Sequence, residues 1–148
     1  MTAFRKYIAW VAALLVSAAT FAHSDMSHLN YLRYMNRHGV EETSYVFARD
    51  EKGKPWLTRT VNDRPDATVR KKASRALIRD LQELVEKGEV FSYAPSYEPK
   101  EAVCGGYVWE LEVQMKDGRS VRSYGHSAQP ANSILEDLES LLKKYLEE

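Results

Sequence analysis

Residues 107–116 leave the chain little choice of local structure. Tyr107, Trp109, Leu111, Val113 and Met115 alternate with Val108, Glu110, Glu112, Gln114 and Lys116. Side chains of period two stand on opposite faces of a pleated strand, so this segment needs a sheet that is half buried. Asp117-Gly118 then marks a turn into Arg119–Tyr124. The register follows from matching faces. A two-residue loop would set Val113 against Arg122, core against charge. A three-residue loop, Lys116-Asp117-Gly118, sets Val113 against Val121 and Glu112 against Arg122, with Gly118 where the backbone must turn left-handed. The three-residue loop is expected.

The remaining elements are read from period and punctuation. Leu29 to Met35 fits two patterns. Leu29, Leu32 and Met35 have helical spacing, whereas Leu32-Tyr34 and Tyr31-Met35 suit the two faces of a strand. Its aromatic content favours the strand. Thr43 to Arg49 and Trp56 to Val61 are β-rich and flank turn chemistry at 50–55, which includes Gly53, so a hairpin is expected. Ala67 to Lys87 is read as a helix capped by Asp66, with Ala73, Leu77, Leu81, Leu84 and Val85 on one stripe and Gly88 as a left-handed C-terminal cap. Arg70, Lys71, Lys72 and Arg75 then form the solvated face of its early turns. Val90, Phe91 and Tyr93 return apolar mass to the core. Ala94 to Gly106 is irregular, and a second helix is expected over 131–146, with Pro130 at its start.

Residues 1–22 carry an address rather than a fold. Arg5 and Lys6 precede an uncharged run from Tyr7 to Phe21, and Thr20-Phe21-Ala22 places small residues at the minus-three and minus-one positions. This is the pattern of a bacterial signal peptide cleaved after Ala22, implying a periplasmic or secreted protein. The run is shorter than the roughly 20 residues of a membrane-spanning helix. The expected organisation is a signal peptide at 1–22 and a single domain at 23–148, its first residues 23–28 polar and frayed. The 21 basic and 21 acidic residues of the full chain become 19 and 21 once Arg5 and Lys6 are removed. Neither nucleic acid nor an anionic membrane is implied as a partner by that balance. Cys104, the one cysteine, has no internal partner, and burial as a small apolar residue is expected.

Strands that precede and separate two helices, without βαβ alternation, define the expected fold class. It is α+β, an antiparallel sheet of about four to five strands with two amphipathic helices packed on one face. From about Leu29 to Leu146 the chain resembles a group of small bacterial proteins that includes the emfourin-type inhibitors of thermolysin-like metalloproteases. The resemblance lies in a helix running into an apolar-aromatic step (Leu84 to Tyr93, with Phe91), a long aromatic strand, the Asp117-Gly118 turn and a leucine-rich C-terminal helix. It implies an α+β fold and protease inhibition by binding, and matches no inhibitory residue in this chain.

Two sets of residues carry chemical expectations. The first is metal. Cleavage after Ala22 would make His23 the mature N-terminus, where its amine and imidazole can chelate Cu(II). Met26 and His28 follow closely, and His126 could close the site. The second is binding. Tyr93, Tyr97 and Tyr107 bracket the irregular stretch that contains Cys104, and aromatic loops on a rigid scaffold are common recognition surfaces. Cys104 with His126 lacks a third partner or a helix N-terminus to activate the thiol, so no nucleophile is assigned. No nucleotide loop, zinc spacing or serine elbow is present, and no cofactor is implied. The expectation is an exported, non-catalytic protein that binds another protein, with copper binding through His23 as the alternative.

Overall fold

The computed structural model describes residues 28–148. Its chain runs β1 (Leu29–His38), β2 (Glu41–Arg49), β3 (Pro55–Val61), β4 (Thr68–Lys72), α1 (Arg75–Lys87), β5 (Ser96–Tyr97), β6 (Tyr107–Met115), β7 (Ser120–His126) and α2 (Leu135–Glu147). All seven strands form one sheet in the order β4-β3-β2-β1-β6-β7-β5. The pairings are antiparallel except β5 with β7, which is parallel. The expected antiparallel sheet of four to five strands is therefore corrected to a mixed sheet of seven.

Both additional strands lie where local signals mislead. Thr68–Lys72 is rich in residues that also suit a helix, and its composition predicts the first turns of one. It pairs instead with β3, Leu57 opposite Lys71 and Thr58 opposite Arg70. Tertiary pairing has overridden a weak propensity. Arg70, Lys71 and Lys72 thus belong to an edge strand, where cations discourage further strand addition. The helix begins only at Arg75, and its cap is Ser74 rather than Asp66. The Ser74 hydroxyl accepts from the Leu77 amide at 3.1 Å. Strand β5 has two residues and no period to read.

The core face of the sheet can be followed across the register. Leu32, Tyr34 and Asn36 of β1 face Val113, Leu111 and Trp109 of β6. Phe47, Tyr45 and Leu57 continue the face through β2 and β3. These apolar residues share one buried cluster with Leu77, Leu81 and Val85 of α1 and Leu135, Leu138 and Leu142 of α2. Leu29 and Leu32, three apart, would point to opposite faces of a regular strand. A register shift between Leu29 and Tyr31 turns both inward, and both are fully buried. That irregularity explains why this segment has both helical and strand spacing.

The β6–β7 hairpin has the expected register. Val113 faces Val121 and Glu112 faces Arg122. Gly118, at φ 94°, closes the three-residue loop. Arg119 ties this turn to α1, with ion pairs to Asp117 and Glu86 at 2.8 Å each.

Gly88 departs from expectation. It is right-handed, φ −78°, and the left-handed residue is Glu89 at φ 50°. Gly88 is needed for space, because a Cβ there would strike Ile134 Cγ2. Helix α2 also starts later than expected. Pro130 opens a turn whose carbonyl accepts from Ser133, and the Ser133 hydroxyl accepts from the Leu135 amide at 3.2 Å.

The β2–β3 turn supplies a pH test. The Asp50 carboxylate accepts from the amides of Lys54 and Lys52 at 2.9 Å and from the Trp56 indole at 3.2 Å. These donors, the Lys54 amide first, hold its carboxyl below the usual range. A lowered folded-state pKa stabilises above the unfolded value of about 4, and that stability is lost as pH falls through the folded value. Asp50→Asn is therefore expected to melt below the parent at about pH 7 and to converge with it near about pH 2. Parallel melting curves at both pH values check this.

Candidate functional site

One end of the sheet gathers most of the residues of interest. His38 ends β1 opposite Tyr107, which opens β6, and Val108 lies opposite His126 at the end of β7. The loop after β5 and the segment at 127–134 meet the same end. His126 connects them. Its Nε2 lies 3.3 Å from the Gly105 carbonyl and its Nδ1 3.8 Å from a Glu98 carboxylate oxygen. The Ser127 amide donates to the Tyr107 carbonyl at 2.8 Å. Gly106, at φ 98°, lets the loop approach so closely that a Cβ would strike Ser127 Oγ. The loop is thus held at its base on both sides while Val103, 46% exposed, and Cys104 project.

The four expected binding residues separate by role. Tyr93 is buried, and its hydroxyl accepts from the Ile134 amide at 3.1 Å and donates to the Asn132 carbonyl at 3.4 Å. It pins the start of α2. Tyr97 is half-buried, accepts from the Ala94 amide at 2.9 Å, and packs against Tyr93 and Trp109 with ring centroids 6.3 and 6.0 Å away. Tyr107 stacks on His38, ring centroids 5.8 Å apart. Cys104 is exposed, which corrects the expectation of burial. The frequent burial of cysteine is an average over sites, and this loop has neither helix nor strand above it. Native-state labelling with a maleimide is therefore expected to modify one thiol as fully as in unfolded protein, read by mass spectrometry.

The metal residues are dispersed. His23 lies outside the described residues. His28 precedes Leu29, which pairs with Met115, whereas His126 pairs with Val108 at the other end of β6. Nearly the whole strand separates them, roughly 20 Å at about 3.3 Å per residue. Among the described residues no group of three or more His, Cys, Asp or Glu side chains is placed to hold a metal ion.

A hollow of about 260 Å³ opens beside the loop, between the ends of β1 and β6 and the first turn of α2. It exists because the helical layer starts only at Leu135, so the core face of the sheet is left uncovered past Trp109. Asn36, 6% exposed, lies on its floor. The Asn36 amide nitrogen donates to the Tyr34 hydroxyl at 3.4 Å. Burial, with a smaller contribution from the neighbouring Glu139, pushes that hydroxyl up to about 12. Tyr34 therefore stays protonated. Glu136 and Glu139 stand at the rim, and Glu139 also pairs with Lys143 at 2.6 Å.

Sequence reasoning missed this hollow. Its signal was Asn36, a polar residue in step with Leu32 and Tyr34 on the apolar face of β1. A second hollow, about 330 Å³, lies over β6 and β7 on the opposite face, where Arg33 and Glu110 satisfy each other at 2.7 Å. No helix among the described residues is long and apolar enough to cross a membrane. No protein-family model matches the chain, and no curated protein matches its sequence.

Proposed function

We propose that this chain is exported, cleaved after Ala22, and acts without catalysis by binding another protein through the loop between β5 and β6. The observation that supports this reading most is the loop itself. It is anchored at its base through His126 and Ser127, and it presents Val103 and Cys104 to solvent. A loop held on a rigid sheet loses less entropy on binding than a free one, so it is suited to recognition. Inhibition of a thermolysin-like metalloprotease is the concrete form, and rests on the resemblance in element order.

The test is direct. Residues 23–148, with the N-terminus verified by mass spectrometry of exported protein, are titrated into a thermolysin-like metalloprotease. Stoichiometric inhibition that weakens by about tenfold in Val103→Asp is expected, since a charge buried in an interface costs at least about 1.4 kcal/mol. No inhibition, or inhibition indifferent to Val103→Asp, counts against this form of the reading. Failure to recover any Val103-dependent complex from periplasmic extract counts against loop-mediated binding as a whole.

A further inference from the structure

We infer that the free edge of β4 is a docking site for an extended acidic segment of a partner protein, which adds to the sheet as a further strand. This goes beyond the loop reading and does not depend on it, because β4 and β5 end the sheet on opposite sides.

Half of the β4 backbone is already used. The Ala73 amide donates to the Pro55 carbonyl at 3.0 Å, which makes residues 73 and 55 a hydrogen-bonded pair. Antiparallel bonding alternates, so the next bonded pairs are Lys71 with Leu57 and Val69 with Arg59. Thr68, Arg70 and Lys72 therefore turn their amides and carbonyls away from β3. Tyr145 takes one of these groups, its hydroxyl donating to the Lys72 carbonyl at 2.6 Å. Beyond the others no strand lies among the described residues, so the Arg70 amide and carbonyl stand ready to pair with an added strand.

The side chains select its chemistry. Lys72 lies opposite Trp56 and Arg70 opposite Thr58, on the sheet face that carries no helix. The Arg70 guanidinium stands 4.0 Å from the centre of the Trp56 ring. Stacking holds it in place and leaves its in-plane N–H donors free for a carboxylate. Neither Arg70 nor Lys72 makes an ion pair among the described residues. β3 and β4 carry no Asp or Glu, and the carboxylates nearby lie in the turns beyond the strand ends. On the other face of β4, Val69 is 40% exposed and Lys71 is turned inward to the Tyr145 carbonyl at 2.9 Å. An added strand would thus meet cations on one face and an apolar side chain on the other. Alternating acidic and apolar residues fit both.

A second copy of this chain is disfavoured at the same edge, since pairing β4 with β4 would set Arg70 and Lys72 against like charges. The cations that repel a copy attract an acidic strand, so one device both excludes and selects.

The probe is acetyl-Thr-Glu-Val-Glu-Val-Glu-Thr-amide. Its controls are the same peptide with Lys for Glu, and the acidic peptide N-methylated at every Glu, which keeps the charges but loses the donors that face β4. Binding to the purified protein is followed by calorimetry and by NMR of the backbone amides. Saturable binding of the acidic peptide at one site is expected, with slowed hydrogen exchange at the Arg70 amide. It should weaken by about tenfold in Arg70→Gln and in Lys72→Gln, and by at least as much on N-methylation. Lys72→Gln leaves the stack on Trp56 intact, so the result does not hinge on the Arg70 variant. Equal binding of the N-methylated peptide would reduce the edge to a cationic patch for any polyanion and overturn the proposal. Equal binding of the Lys peptide, binding unchanged in both variants, or no binding at about 1 mM peptide would overturn it too. So would self-association of the protein that protects the Arg70 amide, because the occupant would then be a second copy. Peptide binding unaffected by Val103→Asp separates the fate of this edge from that of the loop.

Discussion

Replacing Trp109 by alanine is expected to destabilise the protein by about 3–5 kcal/mol, a large part of the roughly 5–15 kcal/mol available to a domain of this size. Trp109 is the largest of the fully buried side chains and stands on the core face of β6 near its first residues. Two losses combine. The cavity forfeits packing against Tyr97 and the helical layer. The Ala128 carbonyl also loses the indole donor, now at 2.7 Å, that holds the segment before α2. Trp109→Phe separates them, because it retains much of the ring but not the donor, and should cost about 1–3 kcal/mol. Urea denaturation of the three proteins provides the measurement. A cost below about 1 kcal/mol for Trp109→Ala would contradict this account of the core.

The second large effect is expected at Gly125. It faces Trp109 across the β6–β7 pairing, and a Cβ there would strike both the indole Nε1 and the backbone oxygen of Ala128. Gly125 is not left-handed, so the requirement is for space rather than conformational freedom. A flexible side chain could move aside, but a backbone carbonyl tethered to that indole cannot do so cheaply. Gly125→Ala is therefore expected to cost about 1–3 kcal/mol. Its cost should shrink by at least about 0.5 kcal/mol when Trp109 is already alanine, since one of the two clashes is gone. A double-mutant cycle reads that coupling, and strict additivity would remove the clash as the explanation.

The sequence was most legible where one local rule had a single solution. The β6–β7 hairpin is the clearest case. Face matching admitted one loop length, and the pairing of Val113 with Val121 follows from it. The β2–β3 hairpin was legible from composition, two β-rich segments on either side of turn chemistry at 50–55. Residues 68–72 were not, because an edge strand of Thr, Val, Arg and Lys has the composition of a solvated helical turn. Only the neighbouring β3 reveals it. Cys104 and Gly88 illustrate a different gap. Each was judged from its residue type, and the deciding facts, an uncovered loop and the position of Ile134, lie in other segments.

The candidate site was less legible than the fold. Tyr97, Cys104 and Tyr107 do lie at or beside the loop between β5 and β6, but Tyr93 belongs to the core. The hollow is built from residues spread from Tyr34 to Glu139, and no spacing rule connects them. Asn36 alone broke the pattern of its strand, and Glu136 and Glu139 were indistinguishable from any solvated helix face.

By itself, the sequence determined the strands with strict alternation, the hairpin register and the apolar stripes of both helices. These depend on neighbours a few residues apart. Tertiary structure decided the number of strands, the parallel β5, the fate of Cys104 and the hollow at the end of the sheet. These depend on which distant segments cover one another, and α2 beginning at Leu135 rather than a turn earlier is what leaves a hollow at the ends of β1 and β6.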